Sequence, residues 1–109
     1  MRKSITLLCA GGILLAGSSL FGQKGDAAKG KEVFDNNCSV CHNSDSTEVK
    51  MGPGFKGLFK RDKMATTGKA PTDANVLAKI NEGGNGMPAY KDILSDAEKA
   101  NVIAFLRTL

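Results

Sequence analysis

A chain of 109 residues with three cysteines and no tryptophan has room for one domain and one hydrophobic core. Its formal charge of +4 is modest, and no basic run is interleaved with aromatics, which argues against a nucleic-acid partner. With Cys38 and Cys41 only three positions apart and Cys9 far upstream, the cysteines offer no framework for a disulfide-stapled fold.

Residues 1–22 read as an export signal peptide. Arg2 and Lys3 give a positive start, Ile5 to Gly17 is mostly apolar, and Ser18 to Gly22 is rich in small residues. Cleavage after Gly22 would leave Gln23 first. The competing reading is an uncleaved anchor, but the apolar stretch is shorter than the roughly 20 residues that span a bilayer. Lipidation of Cys9 is disfavoured, because it lies early and follows bulky Leu8. The remaining domain, 23–109, carries 13 basic and 11 acidic side chains, a formal charge of +2, and its two cysteines form no disulfide framework.

After a short polar lead, Asp26 stands where a helix N-cap belongs, and the spacing predicts a helix from there to about Asn37. Gly30, Phe34 and Cys38 fall on one face of it. A glycine inside a helix weakens it by about 1 kcal/mol relative to alanine, so Gly30 is either a point of close backbone approach or a tolerated surface residue. Cys38-Ser39-Val40-Cys41-His42 then spells C-x-x-C-H, the pattern that attaches a c-type haem. Two thiols three positions apart reach the two vinyl groups of one haem, and the next imidazole reaches the iron. The alternatives are a redox dithiol or half of a zinc site. A second zinc pair is absent, and no strand-helix-strand pattern surrounds the motif. A domain of about 87 residues buries only some 60 to 65% of its unfolded surface, a shortfall that a buried haem would offset.

Asn43 to Gly57 is loop, with Gly52-Pro53-Gly54 as its strongest turn signal. A metal-bound histidine usually donates its second ring N–H to a carbonyl or carboxylate. The Pro53 carbonyl is a reasonable partner for His42, although a plain turn proline is the default at this level. Leu58 to Arg61 suits a short helical piece, and Asp62 to Ala70 reads as a surface loop. Pro71-Thr72-Asp73 signals another helix, with Val76, Leu77 and Ile80 as its apolar stripe and Gly83-Gly84 as its end. Gly83 to Pro88, containing Met87, reads as irregular. The last helix opens on a Ser95/Glu98 capping box and carries Val102, Phe105, Leu106 and Leu109 at helical spacing.

Taken in order, these residues resemble the small class I cytochromes c over nearly the whole domain: Gly30 and Phe34, Cys38 to His42, Gly52 to Arg61, Met87-Pro88, and Ile103 to Leu106. The resemblance implies an all-α cytochrome c fold, three main helices plus a short helical piece around one covalently bound haem c. It implies that the first and last helices cross, with Gly30 near Phe105 and Leu106. It implies His42 and Met87 as axial ligands of the iron and Pro53 as acceptor for His42. Phe55 stands where the family often has leucine, Phe105 where tyrosine is common, and the lack of tryptophan leaves the propionate contacts unassigned. Among the other methionines, Met51 immediately precedes Gly52-Pro53 and belongs on the histidine side, whereas Met64 could fold over the haem edge.

A nitrogen and a thioether ligand keep iron six-coordinate in both oxidation states and, relative to stronger donors, raise its reduction potential. The expected function is therefore that of a periplasmic monohaem carrier of single electrons, not an enzyme. Its partners would be redox proteins such as a periplasmic dehydrogenase, an oxidase or a membrane complex, met by a monomer. One alternative is a haem peroxidase or gas-binding protein with a labile sixth ligand; another is a dedicated electron-accepting subunit of one dehydrogenase. Lys50, Lys56, Lys60, Arg61 and Lys63 cluster in sequence near the expected haem edge, as a solvated surface or as a weak docking patch for an acidic partner.

Overall fold

The structure, a computed structural model, describes residues 25–109. The expected signal peptide, residues 1–22, lies outside the described residues. Among these, three α-helices and one 3-10 turn follow in order: α1 (Ala27–Asn37), the 3-10 turn (Leu58–Lys60), α2 (Asp73–Glu82) and α3 (Asp96–Arg107). The all-α architecture expected from the sequence is the one observed. No helix among the described residues is long and apolar enough to cross a membrane.

Each helix starts where a side chain satisfies its unpaired amides. The Asp26 carboxylate accepts from the N–H groups of Ala28 and Lys29 at 2.9 and 3.1 Å, and the Thr72 hydroxyl accepts from Asn75 at 3.1 Å. Ser95 and Glu98 form the reciprocal capping box. α1 and α3 make the most extensive helix–helix contact. Gly30 explains why they cross so closely, since a Cβ there would collide with the Asn101 carbonyl and lie 2.9 Å from the Phe105 Cβ. The partner surface thus includes Phe105, as the resemblance implied, together with Asn101 one turn earlier. The Asp26 N–H also donates to the Asn101 side chain at 2.8 Å, so the first turn of α1 is fastened to the middle of α3.

The core is built from Val33 and Phe34 of α1, Val76 and Ile80 of α2, and Val102, Ile103 and Leu106 of α3, joined by Leu58, Met64 and Leu94. Phe34 sits centrally, 5.4 Å from the Phe105 ring and 6.2 Å, edge-on, from Phe55. α2 and α3 are tied at one end by Arg107, which pairs with Asp73 and lies 4.6 Å over the Phe59 ring. Two details differ from the sequence reading. Leu109 lies beyond the end of α3, half-buried against the core. The Asp62 to Ala70 loop is not all surface, because its backbone folds on itself, Met64 N–H to Lys69 carbonyl at 2.7 Å, and drives Met64 into the core.

Candidate functional site

The C-x-x-C-H motif begins as the end of α1. Cys38 is the capping residue, its N–H donating to the Phe34 carbonyl, and the amides of Cys41 and His42 both return to the Cys38 carbonyl at 3.2 and 3.0 Å. This tight turn puts Cys38, Cys41 and His42 on the wall of a mostly apolar cavity of about 380 Å³. Cys38 and Cys41 form no disulfide with each other. Burial, then the neighbouring Cys41, pushes the Cys38 thiol up to about 11.

The loop after the motif builds the seat of the imidazole. It is held back on the motif by bonds from Gly52 N–H to the Cys41 carbonyl (2.7 Å) and from Phe55 N–H to the Asn43 carbonyl (2.8 Å). His42 Nδ1 lies 2.8 Å from the Pro53 carbonyl. A carbonyl only accepts, so Nδ1 carries the proton and Nε2 keeps the lone pair that a metal requires. Gly52 fits under the ring, where a Cβ would come 2.8 Å from Nδ1. The Phe55 ring stacks on the imidazole at 4.2 Å and 19°. That stacking was not legible in the sequence, where Phe55 registered only as a substitute for leucine.

All three candidate methionines line the cavity, in different settings. Met51 is 78% exposed, with its sulfur 3.8 Å from Cys41 Sγ, beside the motif as its position suggested. Met64 is buried and packed in the core. Met87 is half-buried and closes a four-residue turn in which the Gly84 and Met87 amides and carbonyls exchange bonds of 2.9 and 3.0 Å. The central residues, Asn85 and Gly86, have φ of 53° and 87°, the left-handed pair of a type I′ turn, for which Asn-Gly is the favoured dipeptide. The Asn-Gly signal was available in a stretch that otherwise reads as irregular.

Two polar residues escaped the sequence reading. Tyr90 lines the cavity and donates its hydroxyl to the Asn37 carbonyl at 2.9 Å. Burial, followed by Cys38 and Cys41, raises its phenol above the ordinary value, which keeps it a donor. Lys99 is buried, with Nζ donating to the Lys91 carbonyl at 2.9 Å. Its place three residues before Val102, on the buried face of α3, was the readable signal. Within the basic cluster, Arg61 is bound to the carbonyls of Gly54 (2.9 Å) and Lys56 (2.7 Å), and Lys50 to that of Ser39 (2.9 Å). Lys56, Lys60 and Lys63 are exposed.

The residues fit a covalently attached haem: two thiols and a correctly tautomeric imidazole on one turn, facing an apolar cavity of molecular size. A family model described as Cytochrome c matches residues 27–109. Cytochrome c6 of Leptolyngbya boryana is 35% identical over 81 residues, which cover 74% of this chain and 89% of that one. The cytochrome c subunit of a quinone alcohol dehydrogenase from Gluconobacter oxydans is 30% identical over 95 residues, 83% of this chain but 20% of that protein. The crystal structure of cytochrome c6 from the diatom Phaeodactylum tricornutum superposes with a TM-score of 0.59 at 30% identity, covering 77% of this chain and 93% of that one. The chain therefore belongs to the cytochrome c family, as a monohaem c-type cytochrome with covalently bound haem c and its iron, an electron carrier rather than an enzyme, whose partners are redox proteins.

Proposed function

We propose that Cys38 and Cys41 attach the haem through thioethers, that His42 and Met87 are its axial ligands, and that the Pro53 carbonyl orients His42. The observation that carries this reading is the 2.8 Å contact between His42 Nδ1 and Pro53, made on the wall of the apolar cavity that both thiols and Met87 also line. When bound, haem supplies one-electron exchange at iron. The protein's share is to fix the Nδ1 proton on the Pro53 carbonyl, so that Nε2 is the ring nitrogen left for a metal, to keep Met87 in place through its closed turn, and to exclude water with the apolar lining. A retained nitrogen and thioether pair leaves little to reorganise when an electron arrives.

Residues 1–22 export the domain to the periplasm on this reading. There a monomer passes electrons between a dehydrogenase and an oxidase or membrane complex. The likeness to a dehydrogenase's cytochrome subunit supports a second reading, dedicated service to one such enzyme. The closed Gly84–Met87 turn favours a retained sixth ligand over the labile one that a peroxidase or gas-binding protein needs.

Met87→Ala tests the assignment. The variant is expected to keep haem through acid-acetone extraction while losing the weak charge-transfer band at the red end of the oxidised spectrum, lowering the potential and binding carbon monoxide. Met64→Ala should change none of these. Survival of the band without Met87 and its loss without Met64 would reverse the ligand assignment, and haem lost to the organic layer would end the attachment claim.

A further inference from the structure

Beyond Met87 the chain runs through Pro88 and Ala89 to Tyr90, which is fastened at both ends. Its backbone N–H donates to the Ile80 carbonyl in α2 at 2.9 Å, and its phenol hydroxyl donates to the Asn37 carbonyl at 2.9 Å, a bond between residues 53 positions apart. Asn37 is the last residue of α1 and immediately precedes Cys38, and its carbonyl is one of the helix-end acceptors that no intrahelical amide can satisfy. The tyrosine hydroxyl thus supplies a partner to the carbonyl next to the first haem thiol. Both residues line the cavity. Downstream, Lys99 holds the Lys91 carbonyl, and upstream, Lys79 Nζ holds the Gly83 carbonyl at 3.0 Å. Of these bonds only that of Tyr90 runs from the Met87 segment to the end of α1 that carries the haem motif.

We propose that Tyr90 is a positioning residue for the Met87 thioether: its hydroxyl, bound to the carbonyl preceding Cys38, locks the segment bearing the sixth ligand to the turn bearing the attachment site and so sets how often the iron–sulfur bond opens. The proposal rests on Met87 as sixth ligand. Phenylalanine at this position would keep the ring in the cavity wall and delete only the lock. A net hydrogen-bond contribution of the usual size corresponds to a roughly two- to twelvefold change in the opening equilibrium.

The test uses the haem-loaded, oxidised protein and imidazole as the probe, since imidazole binds iron only after the thioether has left. In Tyr90→Phe the limiting rate of imidazole binding is expected to rise roughly two- to twelvefold, and the red charge-transfer band to vanish at lower denaturant than the helical signal. In the parent protein the two transitions should coincide. Ile103→Val is the control, because it loosens the α1–α3 core away from the cavity; it should lower the melting midpoint without changing the imidazole rate. An unchanged rate in Tyr90→Phe, or one that rises equally in Ile103→Val, would overturn the positioning role while leaving the Met87 assignment standing. If instead Met87→Ala retains the band, the ligand assignment falls and the proposal with it.

Discussion

Alanine in place of Gly30 sets two opposed effects against each other at one residue. In an exposed helix the change stabilises by about 1 kcal/mol, but here the added methyl collides with the Asn101 carbonyl and crowds Phe105. Overpacking of that kind costs about 1 to 3 kcal/mol, so Gly30→Ala is expected to lower the urea midpoint without shifting the haem spectrum. A raised midpoint would mean that the helices stand further apart. From the sequence alone Gly30 could be surface or contact, since the chemistry that decides it sits 71 positions away. Cys38, Cys41 and His42 stand out in the sequence because the proposed attachment of a haem requires that spacing. Phe55 and Tyr90 do not, because a ring's neighbour or a hydroxyl's acceptor is a tertiary fact.

Helix ends were readable to the residue at Asp26 and Ser95, where short polar side chains replace missing backbone partners. The same locality makes the capping box of α3 separable from the site. Ser95→Ala should cost about 1 kcal/mol in chemical denaturation, with the potential and the charge-transfer band unchanged. A shift in either would reveal that the start of α3 bears on the Met87 segment, which adjoins it through Leu94 and the Lys99–Lys91 bond. Loops were read less well than helices. The Asp62 to Ala70 loop has the composition of a surface loop, yet Met64 is drawn inward because the cavity lining needs apolar mass there. Likewise the basic cluster is contiguous in sequence, but Arg61 is turned inward to brace two carbonyls.

At the scale of the molecule, the cavity dominates the balance of forces. An empty space of about 380 Å³ would leave its apolar lining facing water. That is a large loss for a small domain, whose whole stability is about 5 to 15 kcal/mol. A Cys38→Ala, Cys41→Ala protein without haem is therefore expected to show little helical circular dichroism and no cooperative melt; native-like helicity with a sharp transition would contradict this. Chain length and motif together made the cofactor's structural share readable, whereas the cavity's lining, drawn from every helix, was not. α1 and α3, which wall it together with α2, are joined by a bond between residues 75 positions apart, so the enclosure needs both ends of the domain. Until α3 docks, α1 has no partner, and the wall that carries Cys38 and Cys41 stays open to water. If the haem-free chain stays open as expected, loading at these thiols and closure of the domain are one event.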